Sequence, residues 1–107
     1  MPDDDPRALL DRELGRVVDR LRGLSLERLN RPDGQGVTAA GRTHDCAQLL
    51  ADVAADKNGR PRRPVPVLAA HAAADQLAVM AHDVLAEGDD AAVAVAAGAL
   101  TALRQAL

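Results

Sequence analysis

The chain has 107 residues, a length that fits one domain with a single core and is too short for two. Hydrophobic residues make up 48% and charged residues 27% of it, so there is enough apolar surface to offset the entropy of ordering the backbone. The formal charge of −3 and the lack of aromatic side chains exclude the basic surface and stacking platforms that nucleic-acid binding uses. We therefore expect a folded domain with no nucleic-acid partner.

The apolar residues favour helix. The core must come from 15 Leu, 10 Val, two Met and many of the 23 Ala, because Phe, Tyr, Trp and Ile are missing. Ala and Leu have high helix propensity, whereas the residues that favour strands are reduced to Val and a few Thr. The composition predicts an all-α, four-helix bundle-like single domain over residues 1–107.

The first predicted helix covers about residues 6–30. It begins at Pro6, after a run of carboxylates that suits both the geometry and the dipole of a first turn. Apolar residues then recur at steps of three and four from Leu10 to Leu24. Gly23 interrupts this pattern, so the last residues before the following turn can form a separate short helix.

The remaining predicted helices cover about residues 38–57, 66–87 and 90–107, with a proline- and arginine-rich linker over 60–66. Prolines keep this linker extended. Its Pro61-x-x-Pro64 spacing matches a polyproline ligand, and a stiff connection between helices explains it equally well.

The periodicity of these helices predicts which side chains form the core. The predicted core consists of Leu10, Leu14, Val17, Leu21, Leu49, Leu50, Val53, Leu68, Leu77, Val84, Leu100 and Leu103.

The fourth predicted helix is unusual because it carries no charged residue from Ala91 to Leu103. Its large apolar side chains follow one inner face, formed by Val93, Ala96, Leu100, Leu103 and Leu107. A second, outer face on the opposite side consists of small or uncharged residues, namely Ala91, Val95, Gly98, Ala102 and Gln105. We expect this outer face to form an interface with a second copy in an antiparallel homodimer, or with a partner protein. The alternative is that these alanines are simply exposed.

Candidate catalytic residues are few. Cys46 lies on the apolar stripe of the second helix, which predicts a buried, unreactive thiol. On the third helix, His71, Asp75 and His82 fall on one narrow stripe, and His44 could add a ligand from another helix. A hydrogen-bonded His–Asp pair explains this stripe as well as a metal or proton-transfer site does.

We therefore expect a non-catalytic module for oligomerisation or protein interaction, with no cofactor. The alternative is a small metal-dependent or acid–base enzyme that uses the His/Asp stripe. The single cysteine and the acidic first residues predict a cytoplasmic protein with no signal peptide, and the abundance of Arg over Lys is typical of GC-rich bacterial genomes. The longest charge-free run is too short to cross a membrane.

Overall fold

A computed structural model describes residues 5–107 as an all-α unit. Five α-helices follow in chain order: α1 (Pro6–Arg22), α2 (Leu26–Asn30), α3 (Ala39–Lys57), α4 (Ala73–Glu87) and α5 (Asp90–Ala106), with a 3₁₀ turn at Ala70–Ala72 before α4. The run of acidic residues predicted to precede the first helix lies mostly outside the described residues. The all-α prediction is confirmed.

Polar side chains at the N-termini explain where most helices begin. Asp5, Ser25, Thr38 and Asp89 each accept a backbone N–H from the first turn of the following helix, which satisfies a donor that the helix itself leaves free. Such caps set the starts of α1, α2, α3 and α5.

The region predicted as one helix over 6–30 is divided at the interruption that Gly23 makes in the pattern, because α1 ends at Arg22 and α2 is a separate helix. The N–H of Gly23 bonds back to Asp19, and Ser25 then starts α2 by accepting a bond from the N–H of Arg28. A glycine followed by a capping serine ends one helix and begins another.

The predicted helix over 66–87 is wrong at its start, because the chain stays extended through Ala69 and α4 begins at Ala73. We call the extended segment, residues 60–69, the strap. Gln48 of α3 accepts a bond from the N–H of Val65 at 2.7 Å and donates to the carbonyl of Arg63 at 3.0 Å. These bonds compete with helix formation, and Val65 is buried beneath them.

One core joins the helices. α1 packs mainly on α5, and α3 packs mainly on α4, while contacts of α3 with α5 and of α1 with α4 link the two pairs. The shortest dimension of the molecule is 22 Å, which is the thickness of two helix layers. Four leucines at the centre are fully buried, namely Leu10, Leu50, Leu77 and Leu100.

Most of the predicted core residues are buried, but three differ. Leu49 is 41% exposed and Leu68 is 55% exposed, while Val53 is half-buried. Leu49 directly precedes the fully buried Leu50, and consecutive residues lie about 100° apart on a helix, so only one of them can face the centre. Leu68 lies on the strap, where helical periodicity does not apply.

No helix in the described part of the chain combines the length and the apolar character needed to span a membrane.

Candidate functional site

The predicted His/Asp stripe spans two elements in the structure. Its angles assumed a helix from residue 66, whereas His71 lies in the 3₁₀ turn and Asp75 lies in the first turn of α4. Asp75 pairs with Arg22 of α1 at 3.1 Å, and both side chains are mostly exposed. This carboxylate therefore links two helices at the surface.

The other two histidines lie on different helices, His44 on α3 and His82 on α4. His82 is exposed on α4. His44 is half-buried on α3, with its Nε2 atom 2.9 Å from the carbonyl oxygen of Val65 in the strap. Because a carbonyl can only accept, Nε2 donates in this bond and cannot also bind a metal there. In residues 5–107 no three His, Cys, Asp or Glu side chains are grouped so that they could hold a metal ion.

Cys46 is only 8% exposed, as the apolar stripe of α3 predicts. Burial raises the pKa of its thiol to about 11, because the thiolate loses hydration in the apolar surroundings. Very little thiolate is present at neutral pH, which opposes a role as a nucleophile.

The two faces of α5 differ in exposure as their side chains predict. Val93, Ala96 and Leu100 on the inner face are fully buried, and Leu103 is nearly so. All five residues of the outer face, which are Ala91, Val95, Gly98, Ala102 and Gln105, are exposed. Val95 is the largest apolar side chain among them and is 54% exposed.

Beside the outer face of α5 runs an apolar groove between α3 and α5, with a volume of about 310 Å³. We call it the α3/α5 groove. Helix α3 contributes Cys46 and Leu49 to it, with Arg42 and Asp45 also in the lining. Helix α5 contributes Ala99, Ala102, Leu103 and Ala106. The sequence analysis missed Leu49 as a surface residue, although its 100° offset from Leu50 could have placed it there.

The ends of α5 carry opposite charges. Asp90 lies in the first turn, and its side chain is 83% exposed. Arg104 lies in the last turn and pairs with the buried Glu13 of α1 at 2.8 Å. The hydrogen bond from Arg104 outweighs desolvation by burial and lowers the pKa of Glu13, so this carboxylate is ionised at neutral pH. The pair fixes α5 on α1 and leaves the outer face uncharged.

A second depression, about 480 Å³, lies between the N-terminal turn of α3 and the strap. Its lining is mainly apolar and includes the exposed Val67 and Leu68, together with His44, Asp45 and Gln76. Gln76 donates to the carbonyl of Pro66, and His44 holds Val65, so both side chains support the strap. Gln76 and His44 thus have a structural role.

No family model, curated protein or solved structure matches this chain. The case for function rests on its own residues.

Proposed function

We propose that this protein is a non-catalytic helical module that acts by forming a homodimer through the outer face of α5. The observation that carries the proposal is an exposed helix face on which the structure places no charge between Asp90 and Arg104. Surface helices ordinarily carry charged or polar residues on the side that faces water. An uncharged face with a protruding valine is typical of a contact surface.

The size of the surface indicates that α5 does not act alone. A helix of 17 residues is about 26 Å long and offers a strip about 10 Å wide, or roughly 250 Å². A stable interface buries about 800 Å² on each partner. The neighbouring α3/α5 groove, with Leu49 on its α3 side, extends the same apolar surface. The proposed interface therefore includes both helices.

Charge favours an antiparallel arrangement of the two α5 helices. A parallel pair would bring the exposed Asp90 of one copy beside Asp90 of the other, at the positive ends of both helix dipoles. An antiparallel pair avoids this repulsion and sets the two helix dipoles in opposite directions. A two-fold axis also makes one patch complementary to itself.

The metal-dependent or acid–base enzyme suggested by the His/Asp stripe has no comparable support. Asp75 is engaged by Arg22, and His44 is engaged by the strap. No second function is therefore proposed.

The test is the association state. Light scattering at micromolar concentration should give about twice the chain mass of 11.2 kDa. Ala102→Glu places an unpaired charge in the interface, and this variant should be monomeric while its circular dichroism stays helical. Ala8→Glu is the matched control, because Ala8 is an exposed alanine on α1 and its charge should leave the dimer intact.

A monomeric wild-type protein at these concentrations would contradict the proposal. Equal dissociation by both glutamate variants would also contradict it, since the effect would then come from net charge and not from the outer face.

A further inference from the structure

Val95 and the α3/α5 groove lie on the same side of α5. At about 100° per residue, Val95 is turned about 60° from Gly98 toward α3, and Ala99 and Ala106 are turned about 100° and 80° the same way. Val95 lies about 4.5 Å before Gly98 along the helix axis, whereas the alanines of the groove lie about 1.5 to 12 Å after it. A protruding side chain and an apolar recess thus flank Gly98.

A two-fold axis through the level of Gly98 relates these two features. An axis perpendicular to α5 and parallel to the interface reverses the helix direction and sets the α3 side of one copy against the α3 side of the other. This rotation places Val95 of one copy about 4.5 Å beyond Gly98 of the other copy. That level lies between Ala99 and Ala102 in the groove of the other copy. A parallel pair leaves Val95 away from this groove.

We infer that each copy in the homodimer inserts Val95 into the α3/α5 groove of the other. This inference rests on the proposed function and specifies how the two copies contact each other. The groove suits an aliphatic side chain, because its α5 wall consists of alanines and Leu103 and its α3 wall includes Leu49 and Cys46. Gly98 allows the helices to approach closely, since a Cβ atom there would meet nothing within 4 Å in the single chain.

Leu49 allows a direct test, because it lines the α3 wall of the groove and is 41% exposed, whereas the native Cys46 is buried. Cys46 is replaced by alanine in every copy, so that each chain carries a single introduced thiol. A Val95→Cys copy mixed with a Leu49→Cys copy should form a disulfide between positions 95 and 49 when the mixture is treated with diamide. Within one chain this link cannot form, because each chain has only one thiol.

Mass spectrometry of the digested covalent dimer should identify the 95–49 link. An Ala94→Cys copy mixed with the Leu49→Cys copy is the matched control, because Ala94 is also exposed but is turned toward α1, and it should give no such link. Oxidation of each mixture in guanidinium chloride checks that both thiols can react.

A second variant measures how much the contact contributes. Val95→Ala removes two methyl groups from each of two buried copies and should weaken dimerisation on the order of 100-fold. Val79→Ala is the control, because Val79 on α4 has the same 54% exposure, and it should dimerise like the wild type.

The outcomes separate the two claims. A wild-type dimer for which the Val95→Cys and Leu49→Cys copies give no 95–49 link, or for which Val95→Ala associates as tightly as Val79→Ala, overturns the insertion of Val95 and leaves the homodimer standing. A wild-type monomer overturns both.

Discussion

The neighbouring leucines of α3 provide a sharp test of the fold, because they are chemically identical and differ only in the direction they face. Leu50 is 0% exposed, whereas Leu49 is 41% exposed at the edge of the α3/α5 groove. Replacing Leu50 with alanine removes fully buried carbons and leaves a cavity, which should cost about 2–5 kcal/mol. A domain of this length has a total stability of about 5–15 kcal/mol, so the loss is large.

Leu49→Ala should cost far less. About three fifths of this residue is buried, and complete burial of a leucine side chain contributes about 1.5–3 kcal/mol, which gives an expected loss near 1 kcal/mol. No closed cavity forms, because the site opens to water. The expected difference between the two variants is therefore at least about 1 kcal/mol.

Urea unfolding followed by circular dichroism measures this difference through the transition midpoints at equal slope. Both substitutions should be made in the Ala102→Glu background, because Leu49 belongs to the proposed interface and dimerisation would add to its measured stability. Equal losses from the two variants would refute the assigned faces of α3.

Two further predictions concern buried polar groups. Cys46 should react slowly with a thiol reagent in the native protein and rapidly after unfolding. The reason is that burial blocks access to the thiol and raises its pKa to about 11. Rapid labelling of the native protein would contradict this burial. Glu13 has a lowered pKa when folded, so its pairing with Arg104 stabilises the protein above the pKa of the unfolded carboxyl, and that stabilisation is lost as the pH falls through the folded value. The stability gap between wild type and Glu13→Gln should accordingly shrink between pH 7 and pH 3, and a gap that does not change with pH would show that the ionised pair contributes nothing.

The sequence predicts the helices well where large and polar residues alternate clearly. In α1 the leucines and Val17 recur at steps of three and four, and those from Leu10 to Leu21 are buried. In α5 the bulky Val93, Leu100 and Leu103 fix the phase of the helix, so both faces could be assigned although alanine itself indicates neither.

The start of α4 could not be predicted, because it depends on contacts between residues far apart in the chain. Pro66 suits the first turn of a helix, and the alanines that follow favour one. The backbone of the strap is instead held by side chains of α3, and Gln48 lies 17 residues away from Val65. The helix propensity of a residue reflects its near neighbours in the sequence, so it does not account for bonds to distant residues such as Gln48. The helical angles of the His/Asp stripe depended on the same local propensity, since they placed His71 on one helix with Asp75 and His82.

A comparison of α1 with α5 supports the proposal that a partner covers the outer face of α5. Both helices have 17 residues, pack against each other and expose one side. α1 carries exposed charged residues on that side, among them Asp11, Arg12 and Asp19, whereas the outer face of α5 carries none. A Glu, Lys or Arg on an exposed helix surface costs the fold little, because its propensity for helix is close to that of alanine and its head group stays in water. The stability of the single chain therefore gives no reason for α5 to lack charge. Contact with a second apolar surface does give a reason for the lack of charge, because each charge buried in that contact would have to lose its hydration.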